Sequence, residues 1–190
     1  MHDNALYGST GPLVGWRGMY NVSATLADGK VEYFTNYIDL RSYTLFSRRY
    51  AIALRAIAGV STGKDPQRFN LSGYYGVRAY RDNLSGYKKA VLSAELRFPF
   101  FEYINLAFPI PLNIPNIRGS LFADLGTVFD SFSDFNATTG DGRLDDLKLG
   151  YGFGPRLNLG YVVLRFDIAW QTDLSKTSKP TYYLSLSEDF

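Results

Sequence analysis

At 190 residues the chain is long enough for one domain with a sizeable interior, and 20 Lys and Arg against 18 Asp and Glu leave a net charge of +2 that gives no reason to expect a nucleic-acid partner. There is no Cys, which excludes disulfides, thiolate metal sites and a Cys nucleophile, and the single His is His2. No apolar run approaches the ~20 residues of a membrane-crossing helix.

No signal peptide is expected at Met1, because charge and the turn signal Gly8-Ser9-Thr10-Gly11-Pro12 arrive at once. From there the hydrophobic pattern has period two nearly throughout, the mark of strands with one apolar and one polar face. Trp16 to Leu26 places Trp16, Tyr20, Val22, Ala24 and Leu26 on one side, and Asp28-Gly29 is a hairpin signal. Val31 to Arg41 opposes Phe34, Ile38 and Leu40 to Tyr37, Asp39 and Arg41. After a short link, Ser42 to Arg49, the segment Tyr50 to Val60 opposes Ile52, Leu54, Ala56 and Ala58 to Arg55. The connection Ser61 to Tyr87 is long, and its centre, Leu71 to Asp82, is rich in Gly and Tyr and carries Arg78 and Arg81. A connection of that length inside a compact domain is functional or disordered, and this composition reads as ordered.

Lys89 to Phe100 sets Ala90, Leu92, Ala94, Leu96, Phe98 and Phe100 against Lys89, Ser93, Glu95 and Arg97. Phe101 to Asn116, with Pro109, Pro111 and Pro115, reads as an intermediate connection. Ile117 to Phe129 sets Ile117, Leu121, Ala123, Leu125 and Phe129 against Arg118, Ser120, Asp124 and Gly126, and a long polar connection runs from Asp130 to Asp146. Leu147 to Leu159 opposes Leu147, Leu149, Tyr151, Phe153, Leu157 and Leu159 to Lys148, Gly150, Gly152, Gly154, Arg156 and Asn158. After the tight Leu159-Gly160-Tyr161, the next strand opposes Val162, Leu164, Phe166, Ile168 and Trp170 to Arg165, Asp167, Ala169 and Gln171. Beyond the polar connection Thr172 to Pro180, the last strand opposes Tyr182, Leu184, Leu186 and Phe190 to Tyr183, Ser185, Ser187 and Asp189.

Eight strands result, most of them near the ~9–11 residues that cross a bilayer at a tilt. Apart from Asp28-Gly29 and the proline-rich stretch, short turns alternate with long loops, as in outer-membrane barrels. A soluble sandwich also alternates, but its polar face carries scattered solvated charges. Here the polar face carries Arg or Lys beside Asp or Glu, spaced by Gly and Ser, and the apolar face has aromatics near its ends, as a lumen and an interfacial girdle require. The expected fold is therefore an all-β transmembrane antiparallel barrel of eight strands, with residues 1–10 as a tail and 11–190 as the barrel domain in a bacterial outer membrane. A one-residue slip would turn Arg165 toward lipid at about 2–4 kcal/mol near the midplane, so the faces are well specified.

Four motifs in order resemble the carboxy-terminal half of the BamA/TamA-type outer-membrane barrels, the bacterial surface antigen family. Val77-Arg78-Ala79-Tyr80 resembles the Val-Arg-Gly-Phe/Tyr motif of that family's sixth external loop. Ala94-Glu95-Leu96-Arg97-Phe98-Pro99 and Phe122-Ala123-Asp124-Leu125-Gly126-Thr127-Val128 resemble the next two strands. Gly150-Tyr151-Gly152-Phe153-Gly154-Pro155-Arg156 and Leu164-Arg165-Phe166-Asp167 resemble the two after those. The last strand, with Tyr182, Leu184, Leu186 and terminal Phe190, resembles the signal read by the barrel-assembly machinery. The opening Leu6-Tyr7-Gly8-Ser9-Thr10-Gly11-Pro12 is similar to members that fuse the barrel to a soluble β-propeller. Ala79 stands where the family has Gly, and Glu188 falls on the apolar side. The resemblance covers the last eight of the family's sixteen strands. The usual amino-terminal half and the periplasmic client-capturing repeats lie outside this sequence.

The resemblance implies a non-enzymatic role in outer-membrane protein insertion, protein export or anchoring of a fused domain. The alternatives are a small plugged barrel acting only as a membrane anchor or adhesion protein, and half of a sixteen-stranded barrel. A lipase or protease barrel would need a His to orient and deprotonate its nucleophile, and His2 lies outside every predicted strand. An open pore is disfavoured because an eight-stranded lumen is just wide enough for side chains to fill, and Arg17, Tyr37, Arg55, Arg97, Phe122 and Arg165 point inward. No metal or phosphate motif appears: Gly150 to Gly154 is a glycine-spaced strand with no helix after it. No cofactor is expected. The expected partners are membrane lipids, the barrel-assembly machinery through the carboxy-terminal strand, a client or fused domain, and a second copy through edge strands, with no nucleic acid.

The long loops are expected on one rim. The chain is expected to close on itself, because open sheet edges are excluded from hydrocarbon. Against self-closure, the inward glycines Gly126, Gly150, Gly152 and Gly154 clear space for a loop that a small lumen would not hold. In the resembling family the loop arginine docks on acids of the wall; here Arg78 would meet Glu95 and Asp124, inward by alternation on consecutive strands. The alternative pairs Glu95 with Arg97 or Arg118 and leaves Arg78 in solvent.

Overall fold

The computed structural model describes residues 1–8, 11–27, 30–47, 49–107, 109, 111–159 and 162–187, with the side chains of 27, 30, 31, 106, 112–116 and 187 left aside. Its strands are β1 His2–Asp3, β2 Leu6–Gly8, β3 Gly11–Ala27, β4 Lys30–Ser47, β5 Tyr50–Gly63, β6 Phe69–Asn70, β7 Ser85–Gly86, β8 Lys88–Leu106, β9 Leu112–Phe129, β10 Lys148–Asn158, β11 Val163–Thr172 and β12 Thr181–Ser187. The eight long ones are those read from the sequence. They form one antiparallel sheet in the order β3-β4-β5-β8-β9-β10-β11-β12, with β1 and β2 added on the outer edge of β3 and β6–β7 forming a separate ribbon.

The period-two pattern fixes which face is which. Arg165, Glu95, Asp124 and Asp167 are each 1% exposed, whereas Leu92 and Leu184 are 58% and 73% exposed. Charge inside and leucine outside is the reverse of a sandwich core and the pattern of a wall that faces lipid. The interior is completed by the long loop, whose Leu71, Val77 and Tyr80 cluster with Ile57 of β5 and Val91 of β8.

Several expectations are corrected. The stretch Phe101 to Asn116 is mostly strand: Tyr103 pairs with Pro115, Ile104 with Ile114 and Asn105 with Asn113. Pairing of β8 with β5 ends at Arg97, and that of β9 with β10 ends at Arg118. Among the described residues the arms beyond therefore form a two-stranded ribbon whose outer edges are unpaired, where a residue lacking an N–H is tolerated. For the same reason β8 and β9 reach 19 and 18 residues, well past the expected length. Ile117, assigned outward, is buried where β8 shifts register between Pro99 and Phe101. Self-closure is not found among the described residues: β3 pairs with β4 on one side and with β1 and β2 on the other, and β12 pairs only with β11. The three long loops do share a rim, where Arg68 meets Asp130 at 3.2 Å and the Leu144 N–H donates to the Asp173 carbonyl at 3.0 Å.

Candidate site: the docked loop and its lumenal acids

The loop between β5 and β8 enters the lumen through its own short ribbon, Phe69 opposite Gly86 and Asn70 opposite Ser85. The Leu71 N–H donates to the Leu84 carbonyl at 2.9 Å, and the Val77 N–H donates to the Leu71 carbonyl at 2.8 Å, folding the tip back on itself. A Cβ on Gly76 would lie 1.6 Å from the Leu71 oxygen, so the fold-back admits only glycine there. The turn delivers Arg78, 2% exposed, to the wall.

Arg78 makes a fork on Asp124: Nε to Oδ2 at 2.7 Å and Nη2 to Oδ1 at 2.9 Å, with its backbone N–H also on Oδ2 at 3.1 Å. Nη1 donates to Glu95 Oε2 at 3.1 Å and lies 3.8 Å from Asp167 Oδ2. The guanidinium sits over the Phe122 ring, 3.5 Å from its centroid. A planar fork matched to a carboxylate and stacked on a ring is the arrangement arginine provides and lysine does not.

Glu95 also accepts from Arg97 Nε at 3.1 Å, so the docked and wall-only pairings coexist on its two oxygens. Arg118 instead donates to the Arg49 carbonyl at 2.6 Å. Asp167 and Arg156 were missed as members of the site. Arg156 Nη1 donates to Asp167 at 2.6 Å, and Arg156 Nη2 lies 3.6 Å from Glu95. Their alternation placed both inward, but their row in the lumen depends on registers that no residue pattern announces.

A second set of contacts ties the same loop to the far edge of the sheet. The Ala79 carbonyl accepts from Gln171 Nε2 at 2.9 Å and Thr181 Oγ1 at 3.3 Å, and the Ala79 N–H donates to the Tyr183 hydroxyl at 3.1 Å. Arg81 Nη2 donates to the Tyr182 carbonyl at 2.6 Å. Ala79 holds a left-handed backbone, φ +85, which glycine adopts without strain and alanine does not. Of the four inward glycines, Gly126 and Gly150 seat the loop: a Cβ there would lie 2.7 Å from Val77 Cγ2 and 2.1 Å from the Arg78 carbonyl. Gly152 and Gly154 instead face the β11 backbone, at Ile168 O and Phe166 O.

A separate charged cluster lies on β4 and β5, where Asp39 accepts two hydrogen bonds each from Arg41 and Arg55. Lys89 Nζ holds the Asn70 carbonyl at the root of the loop at 2.7 Å. His2 stacks on Trp16 at 4.2 Å on the exposed outer edge. On the last strand Tyr182, Leu184 and Leu186 face outward and exposed, while Phe190 lies outside the described residues. No group of three or more His, Asp or Glu able to hold a metal occurs among the described residues.

A family model described as the Omp85 superfamily domain matches residues 3–190. No curated protein matches the chain.

Proposed function

The chain belongs to the Omp85 superfamily, whose domains are outer-membrane proteins of the insertion and translocation machinery, and on that premise we propose that it is a non-enzymatic, BamA-like barrel wall that handles polypeptide substrates. Its plug is the docked Val77-Arg78-Ala79-Tyr80 loop. The observation that carries this reading is the shared site of Arg78, Asp124 and Glu95, which fixes the loop inside the lumen rather than on the surface. The same loop reaches β12 through Tyr183 and Arg81, so docking and the state of the last strand are linked. Tyr182, Leu184 and Leu186 offer the assembly machinery an apolar edge strand. The open sheet favours a wall completed by further strands, from a second copy or a larger chain, over a small self-closed anchor.

The test is insertion of a heat-modifiable client barrel into vesicles that hold the full chain. The wild type is expected to speed client folding, and Arg78→Ala to abolish the gain. No acceleration by the wild type would remove the insertion reading and leave membrane anchoring.

A further inference from the structure

Past Arg97 and Arg118, the last residues that β5 and β10 pair, strands β8 and β9 run on as a ribbon on the short-turn side of the sheet. Between Phe98 and Ile117 the sequence holds one charged residue, Glu102, and four prolines. At about 3.3 Å per residue and a ~45° tilt, the 11 residues of β10 rise about 25 Å, the height of a barrel's apolar band. The 19 residues of β8 would rise about 45 Å, so a straight ribbon overshoots the band by about 20 Å.

A register shift at the ribbon's root decides which side its rings face. Phe98 has the parity of exposed Leu92, and its ring covers Gly119, where a Cβ would lie 2.6 Å away. Beyond the shift between Pro99 and Phe101, Phe101 stands opposite Ile117 and Tyr103 opposite Pro115. Residues 115, 117 and 119 alternate along β9, so Phe101 and Tyr103 share the outer face with Phe98. Without the shift they would point to the other side. Phe100 joins the run, its ring centroid 6.3 Å from that of Phe98 and 4.4 Å from that of Phe101. Phe100, Phe101 and Tyr103 are nonetheless 51%, 48% and 62% exposed. Glu102 falls on the opposite face, where Arg49 Nη1 donates to its Oε1 at 2.7 Å.

The result is an uncharged aromatic face continuous with the lipid-facing wall of β8. A straight ribbon would carry it past the bilayer into water, but a bulge bends its strand. Aromatic side chains with a polar tip, such as Tyr103, settle at the headgroup level. Pro99, Pro109, Pro111 and Pro115 remove N–H donors that a strand of another protein would pair with, which argues against polypeptide on these edges. The unpaired backbone groups that remain keep the ribbon out of hydrocarbon, where they would go unsatisfied. We propose that the β8–β9 ribbon is a lipid-binding foot. It turns at the bulge and lies along the headgroup region of the periplasmic leaflet, with Phe98, Phe100, Phe101 and Tyr103 seated on phospholipid. The inference needs only that the wall spans a bilayer, not that it handles polypeptide.

The chain has no Cys, so single nitroxide labels can be placed on the full protein in vesicles of phosphatidylethanolamine and phosphatidylglycerol. Labels on Phe101→Cys and Tyr103→Cys are expected to collide more with oxygen, which concentrates in lipid, than with a nickel chelate, which stays in water. Labels on Glu102→Cys and on Gly140→Cys, at an exposed point of the outer loop, are expected to show the reverse. If the Phe101 label disturbs folding, judged by circular dichroism, exposed Tyr103 decides alone. A Tyr103 label that reads like Gly140 leaves the ribbon in water and overturns the proposal. A Tyr103 label shielded from both reagents means that protein covers the face, and overturns it too. Lipid contact at Glu102 as well would sink the ribbon into hydrocarbon and overturn the headgroup seat. Client insertion is read in a separate assay, so the two proposals fail independently.

Discussion

Two loops leave the same rim and meet opposite fates. Residues 64–87 send their centre inward, where Leu71 and Val77 are fully buried and Gly76 to Tyr80 line the lumen. Residues 130–147 stay outside and fold on themselves: the Thr139 N–H donates to the Arg143 carbonyl at 2.8 Å, Asp141 bonds Thr139 and Arg143, and Phe132 is 71% exposed. Polarity does not sort them, since the buried loop carries the arginine. What sorts them is the wall. The first loop finds carboxylates and bare glycine backbone on the wall; the second, rich in aspartate, answers Asp141 with its own Arg143 and touches the first loop at its base, where Asp130 meets Arg68.

The largest break in this contrast is Arg78→Ala. It strands buried Asp124 and Glu95, and removing one member of a buried pair costs about 3–5 kcal/mol. Protease nicking within 64–87 is expected to rise steeply while nicking within 130–147 stays constant; an unchanged rate in the first loop would end the docking account. Glu95→Gln should loosen the same loop, and the double variant should fall well short of additive because both act on one site.

Glycine replacement sharpens the contrast at smaller cost. A Cβ on Gly150 meets the Arg78 carbonyl, whereas one on Gly140 meets nothing within 4 Å. Gly150→Ala is expected to destabilise docking by about 1–3 kcal/mol, the usual cost of overpacking, and Gly140→Ala to leave nicking of both loops unchanged.

Acid gives the smallest effect. The Thr139 hydroxyl, then Arg143, hold the Asp141 carboxyl down at about 2, below its ordinary value. A depressed carboxyl contributes above its unfolded-state value and stops contributing as pH falls through the folded one. Pepsin nicking within 130–147 should therefore be flat down to about pH 4 and rise between there and about pH 2.

The faces of the sheet were legible because a strand's two sides differ in chemistry, which turned Glu95 and Asp124 inward; that Arg78 would meet them came from the family resemblance, not from the residue pattern. The roles of Asp167 and Arg156 were not legible, because a row across β10 and β11 depends on register. The proline-rich stretch misled for a physical reason: proline breaks a ladder only where a neighbour needs its N–H, and Pro115 lies in a ribbon whose outer edges pair with no described strand. Closure was not legible either, since the inside-outside pattern continues unchanged to each edge strand and is blind to what pairs beyond.

The placement of Arg78's partners also sets an order of events. Asp124 lies 46 residues further along the chain, on β9, and Asp167 follows on β11. Neither carboxylate is in place until those strands have aligned, and closing such long loops is among the slower steps of folding. During synthesis the arginine emerges well before its seat exists. Docking is thus a late event, and a seated loop is a timestamp that the wall behind it has already been assembled.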